Sequence, residues 1–210
     1  MAKTLLKICG ITNVKDALLV EKLGADIIGM IFAESPRKIT VSKAEKISNA
    51  LKLSTKKAGI FVNEKVNKVN EAIKILKLNY VQLHGNESPQ YIKKIKGAKV
   101  IKTIAIKNRK QVIRDVNKYK NSAHFLLFDT FDDKKSGGTG KSFNWGVIKD
   151  VKMPYFIAGG IGVHNVEEVV LRIAPYGVDV NSKVEIYPGK KSAKKLTAFF
   201  NKIMTIRNSR

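Results

Sequence analysis

Apolar and polar positions alternate in blocks along this chain. Short runs rich in β-branched and aromatic residues recur at Leu5–Cys9, Ile27–Phe32, Ala58–Val62, Tyr80–His84, Val100–Ile104, Phe125–Asp129, Tyr155–Ala158 and Val178–Asn181. Each has the length of a buried strand. Between them the apolar positions shift to a spacing of three and four, as in Val66, Val69, Ala72, Ile73 and Leu76, which predicts amphipathic helices. A last helix is predicted over Ser192–Ile206, with Ala193, Leu196, Phe199, Phe200 and Ile203 on its apolar face. Ser42, with Glu45 three residues later, predicts a capping box at the start of a helix. Eight strand–helix units follow one another with no Pro/Gly/Ser-rich linker, so residues 1–210 read as one α/β domain. That repeat predicts a single (β/α)8 TIM barrel, with a doubly wound open sheet as the alternative. The barrel is favoured because polar residues stand at the C-terminal ends of many strands and not at one switch point.

Those strand ends carry the candidate chemistry. Lys7 and Cys9 share one face of the first strand, and Gln82 and His84 share one face of the fourth, because side chains alternate along a strand. Asp129 ends the run Phe125-Leu126-Leu127-Phe128, and Asp179 sits between Val178 and Val180. Any one of these is an ordinary solvated strand end; their repetition predicts a convergent polar site. Lys7 and Asp179, a little below the mouth, are expected to pair inside the barrel. Arg37 follows Ser35-Pro36 and suits a substrate carboxylate. Ala158-Gly159-Gly160 ends the seventh strand ahead of a helix, where backbone N–H groups suit a phosphate. The long polar loop Thr130–Ser142 reads as a mobile lid or a plain connection.

Other chemistries fit poorly. Gly140-Lys141-Ser142 ends like a phosphate-binding P-loop, but Lys135 stands where the leading glycine belongs, and Gly160-Ile161-Gly162 lacks its third glycine at Asn165. One cysteine allows no internal disulfide framework, and the three histidines lack metal-ligand spacing, so no metal site is expected. The N-terminus has no signal-type apolar core and no run reaches transmembrane length, which predicts a cytoplasmic protein with no membrane partner. The charge is the unusual feature: 40 basic against 17 acidic residues give +23. Only six of the basic residues are arginine and no aromatic–basic stacking motif occurs, so a lysine-rich solvated surface is expected in place of nucleic-acid binding. Such a field attracts a small anionic substrate.

In order and spacing, several segments resemble the phosphoribosylanthranilate isomerase family of tryptophan biosynthesis. They are Lys7-Ile8-Cys9-Gly10-Ile11-Thr12, Phe32 through Arg37, Gly59-Ile60-Phe61-Val62, Val81-Gln82-Leu83-His84-Gly85, Phe128-Asp129, Gly137-Gly138-Thr139-Gly140, Phe143-Asn144-Trp145, Ala158-Gly159-Gly160 and Val178-Asp179-Val180. The resemblance implies a cofactor-free Amadori rearrangement of N-(5-phosphoribosyl)anthranilate by a monomer or a homodimer. It implies Asp129 as general acid, Cys9 as general base, and Arg37 at the anthranilate carboxylate. Gly159 and Gly160 fall in the phosphate site, joined after the eighth strand by Ser182 and Lys183, while His84 lies in the substrate region without a definite step. Where the family has Ser-Ser-Gly-Val-Glu, this chain has Asn181-Ser182-Lys183-Val184-Glu185, and Lys183 in place of glycine is expected to touch phosphate. Lys190-Lys191-Ser192 differs from the family at the serine, which reads as a changed helix cap of little functional weight. A basic Cys9 must be a thiolate, so positive charge near it, Lys7 first, is expected to lower its pKa.

Overall fold

The computed structural model describes residues 4–129 and 145–208. Eight parallel strands close on themselves in chain order. They are β1 (Leu5–Ile8), β2 (Ile27–Ile31), β3 (Lys56–Phe61), β4 (Tyr80–Leu83), β5 (Lys99–Ala105), β6 (Phe125–Asp129), β7 (Tyr155–Ala158) and β8 (Gly177–Val180). The helices around them are α1 (Val14–Lys22), α2 (Val41–Ala50), α3 (Val66–Leu76), α4 (Pro89–Ile92), α5 (Arg109–Tyr119), α6 (Val166–Glu168), which runs into a π turn over Val169–Ile173, and α7 (Ala193–Asn208). The predicted strands are all present. Cys9 and His84 lie one residue beyond β1 and β4, where the chain leaves the barrel wall.

Alternation along each strand builds two separate cores. Leu6, Ile8, Ile28, Met30, Val81, Leu83, Leu126, Phe128 and Val178 point outward and pack with the helices. Ile27, Ala58, Tyr80, Ile101, Phe125, Leu127, Phe156 and Ala158 pack together inside the barrel. Aromatic rings plug its lower end, where Phe125 meets Phe156 and Tyr80 edge-on at 5.9 Å. Interior positions nearer the C-terminal ends of the strands are polar: Lys7, Gln82, Thr103 and Asp179 are all buried. The apolar plug therefore forms a floor on which a polar site stands.

Local signals account for most helix ends, with two departures. Asn13 caps α1 by accepting the Asp16 N–H at 2.8 Å, and Asn108 caps α5 by accepting that of Gln111 at 2.9 Å. At α2 the predicted Ser42–Glu45 box is not the cap. Thr40 is extended and its hydroxyl accepts the Lys43 N–H at 3.2 Å, which places Ser42 inside the helix. After β6 the described chain shows a single 3-10 turn, Trp145–Ile148, where the helix of the sixth strand–helix unit was expected. The loop expected over Thr130–Ser142 lies outside the described residues.

A short antiparallel hairpin, β9 (Glu185–Tyr187) and β10 (Lys190–Lys191), follows β8 and was not anticipated. Asp16 ties it to α1: the carboxylate accepts Lys190 Nζ at 2.7 Å and the Lys191 N–H at 2.9 Å. Burial by itself raises the Asp16 pKa, but those bonds and one from Asn13 outweigh it and hold the group below its ordinary value. Glu185 is likewise held low, because bonds from Arg37 and Lys191 exceed the effect of burial. Both groups therefore stabilise the fold fully above their unfolded values near pH 4, and that contribution is lost as pH falls through the lower folded values. The melting temperature is expected to drop below about pH 4, and Asp16→Asn to flatten that acid limb. Thermal melts of both proteins between about pH 3 and pH 7 check this; superimposable acid limbs would contradict it.

Candidate active site

The mouth of the barrel gathers residues from most of the strands and the loops that follow them. Lys7 on β1 is paired in register with Asp179 on β8, and its ammonium donates to Asp179 Oδ2 at 2.8 Å. This is the interior pair expected from the alternation. Burial alone would lower the Lys7 pKa; the Asp179 carboxylate, with Cys9 adding to it, raises it above the ordinary lysine value. Lys7 is therefore a fixed cation at the base of the site. Such a buried pair adds little net stability, whereas losing one partner of it costs about 3–5 kcal/mol. Among the described residues the other oxygen of Asp179, buried, has no hydrogen-bond partner, and neither has Oε1 of Gln82. Unsatisfied acceptors of that kind on a polar barrel floor suit a donor hydroxyl or an ordered water.

Cys9 stands directly above Lys7 and is buried. Its thiol fits because β2 carries glycine alongside it. A Cβ on Gly29 would lie 3.0 Å from the sulfur and 3.1 Å from the Cys9 Cα. Gly10, at φ +71°, turns the chain out of the barrel, and a Cβ there would meet Asn181 Oδ1 at 2.6 Å and Arg37 Cδ at 2.7 Å. The expectation that neighbouring cations lower the thiol pKa is half met. Lys7 and Lys191 both act in that direction, but burial acts the other way and is stronger, so the thiol is pushed up. Sequence reveals the lysine beside the cysteine but not the depth of burial.

Across the mouth, Asp129 ends β6 with about a fifth (21 %) of its side chain exposed, and His84 Nε2 lies 3.7 Å from its Oδ2. That is beyond hydrogen-bond length. Burial, stronger than the pull of Asp129, lowers the His84 pKa, so the ring is neutral near pH 7. Gln82 Nε2 donates to His84 Nδ1 at 3.2 Å and to Thr103 Oγ1 at 3.3 Å, which leaves the imidazole proton on Nε2, facing Asp129. Below this pair, Lys102 donates to the carbonyls of Leu83 and Gly85 and to Glu87 Oε2, at 3.1, 2.6 and 3.0 Å. Glu87 in turn accepts the Gly85 and Asn63 N–H groups. The turn that carries His84 is thereby pinned from beneath.

The two anion-suited regions flank the thiol. On one side Gly159 and Gly160 end β7 at φ 86° and 67°, and the 3-10 turn Ser182–Val184 follows β8 with Ser182 and Lys183 exposed. A Cβ on Gly162 would lie 3.0 Å from that of Lys183, so the two loops abut. The glycines do not open the next helix directly, as expected from sequence: Asn165 caps the Gly162 N–H at 2.9 Å and α6 begins only at Val166. On the other side, Arg37 Nε bonds both oxygens of Glu185, at 3.0 and 3.1 Å, and Nη2 bonds Oε2 at 2.6 Å.

Two residues of this site escaped the sequence reading. Glu185 anchors Arg37, and Lys191 is wholly buried beside it, donating to Glu185 Oε1 at 2.9 Å and Asn181 Oδ1 at 3.0 Å. Ser192, where a changed helix cap was expected, accepts the Lys195 N–H at 3.3 Å at the start of α7. The signal for Lys191 was an acidic residue six positions earlier flanking a Pro-Gly turn, Pro188-Gly189, which is a hairpin pattern. Among the described residues no cluster of three potential metal ligands occurs, and no helix is long and apolar enough to cross a membrane.

A thiol and a carboxylate at separate strand ends of one barrel mouth, with cationic and glycine-rich surface beside them, are equipment that suits a sugar-phosphate isomerase. Comparison with known proteins gives the particular kind. Residues 6–202 match the family described as N-(5'phosphoribosyl)anthranilate (PRA) isomerase, and the chain belongs to that family, an isomerase of tryptophan biosynthesis. It is 39% identical over 204 residues to the N-(5'-phosphoribosyl)anthranilate isomerase of Petrotoga mobilis, covering 96% of this chain and 98% of that one. The crystal structure of phosphoribosyl anthranilate isomerase from Thermotoga maritima superposes with a TM-score of 0.88 at 35% identity, over 97% of this chain and all of that chain (100%). A second phosphoribosyl anthranilate isomerase structure, in complex with reduced 1-(o-carboxyphenylamino)-1-deoxyribulose 5-phosphate, gives 0.85 at 32% identity over 97% and 100% of the two chains.

Proposed function

We propose that this protein converts N-(5-phosphoribosyl)anthranilate to 1-(2-carboxyphenylamino)-1-deoxyribulose 5-phosphate, with Asp129 as general acid and Cys9 as general base. The observation that carries this reading is the placement of the thiol and the carboxylate at two separate ends, β1 and β6, three strands apart around one barrel mouth. The reaction needs two separate proton transfers at different faces of the sugar. Asp129 gives a proton to the furanose ring oxygen, the C1′–O bond breaks, and the anilino nitrogen lone pair completes a protonated Schiff base. Cys9 then takes the proton from C2′, the C2′–H electrons form the C1′=C2′ bond, and the iminium becomes a neutral enolamine. Protonation at C1′ with loss of the C2′ hydroxyl proton yields the ketone.

The charge layout supports each part. The iminium formed on ring opening adds positive charge beside the thiol, in the same sense as Lys7 and Lys191, and so favours the thiolate that must take the C2′ proton, against burial, which favours the neutral thiol. A thiol with a raised pKa is also a stronger base once ionised. The product's phosphate lies against the turns of Gly159-Gly160 and Ser182-Lys183, with Lys183 supplying a cation in place of close backbone approach. Its carboxylate lies at Arg37, and the ligand bound to the second solved relative carries both groups by name. The test is direct: freshly made phosphoribosylanthranilate loses its anthranilate fluorescence in the presence of the protein faster than it decays alone. No acceleration at any enzyme concentration would overturn the proposal.

A further inference from the structure

Arg37 tops a stack of three charged side chains, the lower two of them buried. Lys191 has no exposed side-chain surface (0%), Glu185 has 4%, and Arg37 has 18%. Glu185 Oε1 receives Lys191 Nζ at 2.9 Å, Arg37 Nε at 3.0 Å and the Gly189 N–H at 3.2 Å, while Oε2 receives Arg37 Nη2. The guanidinium is thus gripped along its Nε–Nη2 side. Its Nη1 takes no partner among the described residues, which leaves that end of the fork open, and the Cδ of the side chain lies against Gly10, the residue after Cys9. Neither Glu185 nor Lys191 takes part in the proton transfers.

The grip by itself works against binding an anion. An arginine paired with a glutamate is a neutral unit, and a carboxylate approaching its outer edge meets the glutamate's repulsion as well as the arginine's attraction. Lys191 changes that sum: two cations and one anion leave a net +1 at the place where the carboxylate arrives. We infer that Glu185 and Lys191 are positioning residues for carboxylate recognition, Glu185 by presenting Arg37 end-on and Lys191 by keeping the assembly cationic. The inference rests on the proposed function for the identity of the substrate, and it makes Lys191 a determinant of specificity for anilines that carry an ortho-carboxylate. Lys191 also acts electrostatically on Cys9, so its loss slows the chemistry for every substrate alike; the preference between substrates isolates the positioning role.

The experiment compares kcat/KM for N-(5-phosphoribosyl)anthranilate with that for the carboxylate-free N-(5-phosphoribosyl)aniline, in wild type, Lys191→Met, Lys191→Gln and Lys191→Arg. The preference for the carboxylate is expected to fall by about tenfold or more in the Met and Gln variants, mostly through KM, and to be restored in the Arg variant. Gln keeps a donor to Glu185 and Asn181, so it carries the test if the Met variant does not fold. Equal losses for the two substrates, leaving the preference within about twofold of wild type, would overturn the inference and leave Lys191 a purely structural lysine. A wild type inactive on both compounds would instead sink the proposed function.

Discussion

Replacing Cys9 by alanine is expected to lower kcat by about 10²–10⁴-fold with KM close to wild type, the usual worth of one positioned proton transfer. Alanine removes the sulfur without disturbing its cradle, because Gly29 and Gly10 already leave that space for the backbone around it. The pH dependence sharpens the test. A base acts in its ionised form, and burial holds the Cys9 thiol above its ordinary value in the free protein. The kcat/KM of wild type is therefore expected to rise with pH through the ordinary thiol range near about 8.5 and beyond it, and the rise is expected to vanish in the alanine variant. A wild-type profile that stays flat across that range, or a variant with kcat within about tenfold of wild type, would remove Cys9 from the role of base.

Asp129→Asn is expected to produce a loss of similar size, about 10²–10⁴-fold in kcat, for a different reason. Asparagine keeps the shape at the end of β6 and still offers a hydrogen bond to the ring oxygen, but it has no proton to give. Ring opening then becomes the slow step. The two variants are distinguished by a substrate carrying deuterium at C2′: it reacts more slowly than the unlabelled compound where carbon deprotonation limits, and identically where ring opening limits. Asp129→Asn is expected to be insensitive to the label, and the residual activity of the cysteine variant sensitive. A labelled substrate that slows Asp129→Asn as much as the cysteine variant would place Asp129 at the carbon instead.

Much of this architecture is visible in the pattern of residues. Short apolar runs mark every strand of the barrel, and alternation within them sets Lys7 with Cys9 and Gln82 with His84 on shared faces, with Asp129 and Asp179 at other strand ends, before any coordinate is known. The pairing of Lys7 with Asp179 follows from the same parity, because β1 and β8 must meet for the barrel to close. What was illegible depends on depth or on very short elements. The sign of the Cys9 pKa shift depends on how completely the thiol is enclosed, and no neighbouring residue type encodes that. Glu185 and Lys191 sit on strands of three and two residues, too short for any period, and only the fold sets them against Arg37. At α2 the capping-box spacing at Ser42 competed with a better cap two residues earlier, since Thr40 alone takes the extended conformation that its hydroxyl needs.

The ion pair between Lys7 and Asp179 joins residues 172 positions apart, which ties the reactive centre to the order in which the chain is made. Lys7 and Cys9 leave the ribosome well before Asp179, Asn181, Glu185 and Lys191. Until β8 docks beside β1, the nascent chain carries an uncompensated ammonium next to an uncovered thiol on a strand with an open edge. Non-local contacts of this reach form late, after the cost of closing the intervening loop has been met. The cysteine's surroundings are thus a product of barrel closure itself, and any shortening of the chain before residue 191 removes chemistry as well as stability.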